Sequence, residues 1–280
     1  MQSISFGGAG DSLPVFAIHG SASTGKQWLS LGQRLGESCQ LTAPDIPGYG
    51  EQAVSASTCR AGLRGRAEPL LAMLEALQSP VDLVAHSFGA ALALELLRSR
   101  PAAIRSLWLY EPVVPGLLLL GGSEGDEVLR SDLACLAEML DRASPAVGMA
   151  AFVNFWHGGD CWSQLPESRR ALLARQASVV LRDFREAFAE SPPCGELLAY
   201  RGPVQIAIGE ESRVHASRMA VLLGGLLPNT YFHSFKGMGH MGPCTHPKSV
   251  NDVIFKWLQS VNEPYTSRDL TTKSPALAEA

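Results

Sequence analysis

Strand-like and helix-like runs alternate along most of this chain, and that order restricts the fold more than any other feature of the sequence. The apolar runs SLPVFAIHG, CQLTAPDIPGYG and VDLVAHS each end in small or turn-forming residues, as buried strands do. FGAALALELLRSR, which is stopped by Pro101, is typical of a helix, and IRSLWLYEP is the next strand. Strands that alternate with helices pair in parallel and are covered by those helices. We therefore predict an α/β fold with a mostly parallel sheet flanked by helices.

The alternation is interrupted once. Residues 113–199 contain helical runs but no convincing strand, after which PVQIAIG resumes the sheet. TYFHSFKGMGH supplies the last strand and SVNDVIFKWLQSV the last helix. We therefore predict a core made of residues 1–112 and 200–262, with residues 113–199 as a helical insertion. The tail at 263–280 is polar and has no sustained periodicity, so we expect a mobile extension.

Charge and composition favour a small-molecule partner. The 280-residue chain has a formal net charge of -4 and no dense block of Lys and Arg, which disfavours nucleic acid and anionic lipid as partners. No apolar run approaches the ~20 residues needed to cross a bilayer, and the N-terminus has no signal-peptide pattern. We expect a cytoplasmic protein that binds neither nucleic acid nor membrane. Whether it forms a homodimer stays open.

Cysteines and glycines give no indication of a metal or a cofactor. The six cysteines are scattered without a C-x-x-C pair, which is typical of free thiols in a reducing compartment. FGGAG precedes a strand and has no helix behind it, so it lacks the pattern of a phosphate-binding loop. We therefore expect no metal and no cofactor.

The strongest candidate for a catalytic residue is Ser87, in LVAHSFGAAL. A predicted strand runs into this serine and a helix begins after it, an arrangement that can hold a serine on a sharp turn at the carboxyl edge of a sheet. Ala85 and Gly89 are small enough for such a turn. Ser87 could instead cap the following helix, but the strand before it favours a nucleophile.

A serine hydroxyl needs a base, and His240 is the candidate. FKGMGHMGP places it in a glycine-rich loop between the last strand and the last helix. His246 precedes Pro247 at the start of that helix and is interpreted as structural or exposed. His86, beside Ser87, is interpreted as packing the turn.

The negative charge that develops on a substrate carbonyl needs backbone donors. The helix after Ser87 offers the amide of Phe88. AIHGSAST offers the amide of Ser21, because His19-Gly20 ends an early strand at the same edge of the sheet. A plain strand-ending turn is the alternative for this second segment.

With these residues the chain resembles the α/β-hydrolase superfamily, and the similarity runs from about residue 2 to residue 262. HGSAS with Trp28, APDIPGYG, AHSFGAAL, LYEP and GMGHMGP occur in the family's order. The resemblance implies a mostly parallel sheet of eight strands, or fewer where its N-terminal part is shortened, with a helical lid inserted after the sixth strand. Haloalkane dehalogenases use aspartate at the turn, so Ser87 favours acyl transfer.

The resemblance leaves the acid of a catalytic triad to be found. Most of the family has an aspartate three residues after the glycine that ends the seventh strand, and here that place holds Ser212. Glu210 and Glu211 are offset from it by two residues and one, which turns their side chains to other directions. A second solution in the family puts the acid at the end of the sixth strand, where this chain has Glu111. We predict Glu111 as the acid, with Glu211 as the next candidate.

The lid sequence AAFVNFWHGGDCWSQL is rich in aromatic residues and is expected to lie over Ser87. We predict that Phe152, Phe155 and Trp156 bind the substrate in an apolar acyl pocket. The predicted function is a serine hydrolase that cleaves an ester, thioester or lactone through an acyl-enzyme on Ser87. A C–C bond hydrolase, a cofactor-free acyltransferase and a non-catalytic small-molecule-binding homologue remain alternatives.

Overall fold

A seven-stranded sheet runs through the part of the chain that the structure, a computed structural model, describes: residues 2–7, 12–50 and 60–262. Its strand order is β1-β3-β2-β4-β5-β6-β7, and every neighbouring pair is parallel except β1 with β3. The predicted α/β fold with a mostly parallel sheet is confirmed. The strands are β1 Ser3–Phe6, β2 Leu13–Ile18, β3 Cys39–Pro44, β4 Val81–His86, β5 Ile104–Tyr110, β6 Val204–Gly209 and β7 Thr230–Phe235.

Helices cover both faces of this sheet. They are α1 Leu29–Leu35, α2 Gly62–Ala76, α3 Phe88–Ser99, α4 Gly116–Gly121, α5 Glu124–Arg142, α6 Pro145–His157, α7 Cys161–Gln164, α8 Glu167–Ala174, α9 Ala177–Ala189, α10 Cys194–Ala199, α11 Val214–Leu226, α12 Gly242–Thr245 and α13 Pro247–Asn262. Alternate residues of β2 enter different cores: Val15 packs with apolar residues of α1 and α13, whereas Phe16 packs with those of α2 and α3. Burial on both faces explains why the strands read as continuous apolar runs.

Strand β4, which leads to the predicted nucleophile, is buried along its whole length. Its one charged residue, Asp82, is 1% exposed and accepts hydrogen bonds from Arg105, Ser106 and Asn262. A buried carboxylate is tolerated where donors satisfy its oxygens. The strand therefore holds its carboxyl end in a rigid part of the core.

The helical segment predicted for residues 113–199 contains helices α4 to α10 and no strand. It follows β5, the strand that the resemblance counts as the sixth of eight. The described residues form seven strands, so the same strand is the fifth here. The C-terminal extension predicted for 263–280 lies outside the described residues. None of the described helices is both long and apolar enough to span a bilayer.

An ion pair between Asp126 and Arg218 joins the start of this segment to the core. Asp126, in the first turn of α5, forms a capping box with Ser123. Its two oxygens also accept from Nε and Nη2 of Arg218 in α11, at 2.6 and 2.8 Å. The hydrogen bonds from Arg218 lower the pKa of Asp126 to about 2. The start of the segment is thus fixed to the helix that follows β6.

Candidate active site

Ser87 lies on a strained turn between β4 and α3. Its φ of 55° and ψ of -125° are unfavourable for a residue with a side chain, and such strain persists only where neighbouring contacts hold it. The Ser87 amide donates to the Tyr110 carbonyl at 3.0 Å, and the Ser87 carbonyl accepts from Ala90 and Val113. Gly89 is required at this turn because a Cβ there would lie 2.3 Å from the His19 carbonyl oxygen. The turn presents the Ser87 hydroxyl at the carboxyl edge of the sheet.

Ser87, His240 and Glu111 form a continuous hydrogen-bonded chain. Ser87 Oγ lies 2.9 Å from His240 Nε2, and His240 Nδ1 lies 2.7 Å from Glu111 Oε2. Their exposed fractions are 8%, 3% and 0%. Because a carboxylate only accepts, Nδ1 carries the proton donated to Glu111, which leaves Nε2 free to accept the Ser87 proton. The three residues from distant parts of the sequence therefore have the arrangement of a nucleophile, a base and an orienting acid.

Strand pairing puts Glu111 within reach of His240. β4 and β5 pair so that His86 lies opposite Tyr110, and Ser87 and Glu111 directly follow the ends of these two strands. Glu111 has a φ of 44°, a second strained position at this edge. Its Oε1 accepts from the Gly209 amide at 2.7 Å and from the Ser212 hydroxyl. These hydrogen bonds hold the Glu111 carboxylate in one fixed orientation.

The other candidates for acid and base lie apart from this chain. Glu210 and Glu211 are both exposed, and Glu210 accepts a hydrogen bond from Ser234 instead. His246 is also exposed and lies 2.9 Å from the Thr245 hydroxyl. The structure thus brings Glu111 and His240 to Ser87 and leaves these alternatives at the surface.

The two predicted oxyanion donors lie in the same pocket as Ser87. Phe88 is the first residue of α3, so its amide has no carbonyl acceptor within the helix. Ser21 is oriented by His19, whose Nε2 accepts from the Ile46 amide at 2.9 Å and whose Nδ1 therefore donates to the Gly20 carbonyl at 2.7 Å. In a trans peptide the next N–H points opposite to that carbonyl, so the Ser21 amide points away from His19.

A second hydrogen-bonded chain links the loop of Ser21 to the loop of His240. The Gly20 amide donates to Gln27 Oε1 at 3.3 Å, Gln27 Nε2 donates to His86 Nδ1 at 3.2 Å, and His86 Nε2 donates to the His240 carbonyl at 2.9 Å. Burial lowers the pKa of His86 well below its usual value, and the nearby His240 lowers it further. Burial also lowers the pKa of His19 to about 4. Both histidines are therefore neutral supports of the site.

The pocket beside Ser87 has about 290 Å³ of empty space, its open mouth included. Trp156 lines it and stacks on the His240 ring, with ring centroids 4.3 Å apart. Phe152 lines it as well and packs edge-on against Phe184. A larger cavity lies beside Glu95, and Ser87 does not line it.

Phe155 was predicted to bind substrate in this pocket, but its ring lies elsewhere. It packs 4.9 Å from the His215 ring and under the Arg213 guanidinium, at 4.4 Å. The physical reason is the helical rotation of about 100° per residue, which points neighbouring side chains of α6 in different directions. Phe155 packs against Trp156, whose ring lines the pocket, with the two ring centroids 5.0 Å apart.

Sequence reasoning missed a buried cluster that adjoins the pocket. Asp183, in α9, is 1% exposed and lines the pocket together with Ser21. It is bonded to Ser21, to Tyr49 and to Arg66, which is fully buried. In the sequence these residues are separated by more than a hundred positions from Asp183, and no local pattern connects them.

The fold and the site together define an α/β-hydrolase arrangement. The sheet is mostly parallel, a serine lies on a strained turn, a histidine lies in a loop after the last strand, and a carboxylate lies at a neighbouring strand end. The model of the alpha/beta hydrolase family matches residues 15–253. The chain therefore belongs to the α/β-hydrolase family, and it is similar to an esterase and a lipase of that family.

Known relatives agree with this membership. Lipase LipV of Mycobacterium tuberculosis is 34% identical over 145 residues, which cover 50% of this chain and 52% of the lipase. The pimeloyl-[acyl-carrier protein] methyl ester esterase of Methylococcus capsulatus is 27% identical over 263 residues, 88% of this chain and 94% of that enzyme. A solved thermophilic esterase from Thermogutta terrifontis has the same fold, with a TM-score of 0.72, 18% identity and 94% of each chain covered.

Proposed function

We propose that this protein is a serine hydrolase that cleaves a carboxylic ester of a small apolar acyl group through an acyl-enzyme on Ser87. The observation that carries the proposal is the buried chain from Ser87 Oγ to His240 at 2.9 Å and from His240 to Glu111 at 2.7 Å. Similarity to a lipase and to a methyl ester esterase supports the ester as the bond that is cleaved.

In the first half of the proposed cycle, Ser87 Oγ attacks the ester carbonyl carbon while His240 Nε2 takes the hydroxyl proton. The carbonyl oxygen becomes negatively charged and accepts from the amides of Ser21 and Phe88. The imidazolium that forms is stabilised by Glu111. His240 then gives its proton to the leaving alcohol oxygen, the ester bond breaks, and the acyl group stays on Ser87.

In the second half, a water molecule replaces the alcohol. His240 Nε2 takes a proton from the water, whose oxygen attacks the acyl carbon, and the same two amides stabilise the oxyanion. The bond to Ser87 Oγ then breaks as His240 returns the proton to it. The products are a carboxylic acid and the free enzyme, with no cofactor consumed.

The helical segment 113–199 has the role of a lid in this proposal. Phe152 and Trp156 of α6 and Phe184 of α9 line the pocket that contains Ser87, and each presents an aromatic ring to it. Stacking of Trp156 on His240 shields the imidazole from water. An apolar wall of this kind favours small to medium apolar acyl groups over charged ones.

Covalent labelling with an organophosphonate, followed by peptide mapping, tests the nucleophile. We expect modification at Ser87 in the wild type, and loss of both labelling and turnover of p-nitrophenyl esters in Ser87→Ala. Retention of ester turnover by a folded Ser87→Ala variant would contradict the acyl-enzyme. A folded wild type that neither labels nor turns over the esters would favour a non-catalytic binding protein.

A further inference from the structure

A buried carboxylate of the helical segment is bonded to the loop that carries one of the proposed oxyanion donors. Asp183 Oδ2 accepts from the hydroxyls of Ser21 and Tyr49, each at 2.5 Å. Its other oxygen accepts from Arg66 Nη2 at 2.7 Å. Of these donors, Ser21 is the one that lines the pocket beside Ser87. Helix α9 therefore contacts the reacting region through one polar side chain.

The loop at Ser21 needs to be held in place. Its next residue, Ala22, has a φ of 57°, a conformation that costs free energy for a residue with a side chain and persists only where contacts hold it. His19 fixes one end of the Gly20–Ser21 peptide through the Gly20 carbonyl. Asp183, in helix α9, fixes the Ser21 side chain by accepting a hydrogen bond from its hydroxyl. Together these contacts leave the Ser21 amide little freedom to turn.

Pairing of a buried cation does not account for the bond between Ser21 and Asp183. Arg66 is 0% exposed, and a buried guanidinium needs carboxylate partners. Glu186, one helical turn after Asp183, also binds Arg66, at 3.3 Å. It pairs in addition with Arg182 at 2.6 Å. The charge of Arg66 is thus met by two carboxylates, of which Asp183 also binds the loop.

We propose that Asp183 is a positioning residue for the oxyanion hole, which aims the Ser21 amide at the substrate carbonyl oxygen by holding Ser21 Oγ. This inference rests on the proposed function, because it assigns a task within that mechanism. Donors that stabilise an oxyanion act only when they are fixed in the direction where charge develops. The lid helix α9 therefore completes the oxyanion hole and covers the pocket at the same time.

The test compares Ser21→Ala, Ser21→Thr, Asp183→Asn, Glu186→Gln and the double variant of Ser21→Ala with Asp183→Asn. Glu186→Gln is the matched control, since it makes the same chemical change to the other partner of Arg66 on the same helix. Three quantities are measured for each protein: the thermal midpoint, the rate of phosphonylation at Ser87, and kcat and KM for a p-nitrophenyl ester.

We expect Ser21→Ala and Asp183→Asn each to slow phosphonylation and to lower kcat by at least about tenfold, with KM within about twofold of wild type. Ser21→Thr keeps the hydroxyl and should recover most of the rate. The double variant should have about the same kcat as the less active of the two single variants, because both changes break the same contact. Glu186→Gln should stay within about threefold of wild type.

Wild-type rates in a folded Ser21→Ala variant would overturn the positioning role and leave the proposed function intact. An equal loss in Glu186→Gln and Asp183→Asn would also overturn it, because the cluster would then act on the fold alone. Should Asp183→Asn fail to fold, the comparison of Ser21→Ala with Ser21→Thr decides. A wild type without labelling at Ser87 would refute the proposed function and this inference with it.

Discussion

The hydroxyl of Ser212 donates a hydrogen bond to Oε1 of Glu111, the carboxylate whose other oxygen lies 2.7 Å from His240 Nδ1. Ser212 stands where most of the family carries its triad acid. In this chain the strand-end position after β5 supplies the carboxylate, and the residue after β6 supplies a donor to it. In this chain Ser212, Glu111 and His240 belong to one hydrogen-bonded unit.

Ser212→Ala is expected to lower kcat by about threefold to tenfold, because Glu111 loses one of the bonds that fix its orientation. Ser234→Ala is the matched control: it removes a serine donor from Glu210, which is exposed and outside the triad. Steady-state kinetics on a p-nitrophenyl ester compare the two. Equal activity of the variants would show that Ser212 does not support catalysis.

Trp156→Ala is expected to raise KM and to shift the preferred acyl chain length, since it removes the ring that stacks on His240 and lines the pocket. Phe155→Ala should change neither, because that ring packs on Arg213 and His215. An ester series of increasing chain length measures both variants. If only Phe155→Ala shifted the chain-length preference, the acyl pocket would lie on the Phe155 side of α6, and the assignment of Trp156 would be wrong.

His240→Ala should be folded and nearly inactive, whereas His246→Ala should keep most of its activity, because His246 is exposed and bonded to Thr245. In the wild type, kcat/KM should rise with pH through one ionisation, since the base acts in its neutral form. His86 and His19 add no step near neutrality, because burial lowers both pKa values, that of His19 to about 4. Activity that survives in His240→Ala and is lost in His246→Ala would contradict the assignment.

Arg218→Gln is expected to lower the free energy of unfolding at pH 7 by about 1.5–3 kcal/mol, because Asp126 loses two charged hydrogen bonds. The pKa of Asp126 is lowered to about 2, so the bond stabilises the fold above about pH 4 and is lost as the pH falls towards 2. Urea unfolding from pH 7 to pH 3 should therefore show the gap between variant and wild type narrowing.

The control for that experiment is Arg142→Gln, which breaks an exposed ion pair with Glu138 at 3.8 Å. Exposed pairs contribute little, so its unfolding free energy should stay within about 0.5 kcal/mol of wild type. A gap for Arg218→Gln that is the same at every pH would mean that the Asp126 charge is not its cause.

The fold, and the meeting of the proposed site residues at one edge of the sheet, could be predicted because each depends on local order along the chain. A strand that runs into Ser87 and a helix that follows it fix a turn at the carboxyl edge, and a loop after the last strand brings His240 to the same edge. Glu111 was predicted because the resemblance places an acid at the end of this strand, and the pairing of β4 with β5 brings that strand end beside Ser87. Parallel pairing decides which strand ends meet, and the alternation of strands and helices in the sequence predicts parallel pairing.

The supporting contacts could not be predicted because they join distant segments through side chains. Asp183 is 162 residues from Ser21 along the chain, and its sequence context, RDFRE, is typical of a solvated helix face. Gln27 and Ser212 lie in segments whose patterns give no sign of a buried partner. Phe155 and Trp156 are adjacent in α6, and only packing decides which of two neighbouring aromatic rings faces Ser87.

The kcat of Glu111→Gln compared with Glu211→Gln tests the triad most directly. Glutamine at 111 keeps the shape but loses the charge that orients and stabilises the His240 imidazolium, so kcat should fall by roughly 10³ to 10⁴ while the thermal midpoint shows a folded protein. Glutamine at 211, an exposed position, should cost less than about tenfold. Near-normal turnover by Glu111→Gln, together with a large loss of kcat in Glu211→Gln, would contradict the account and assign the acid to the loop after β6.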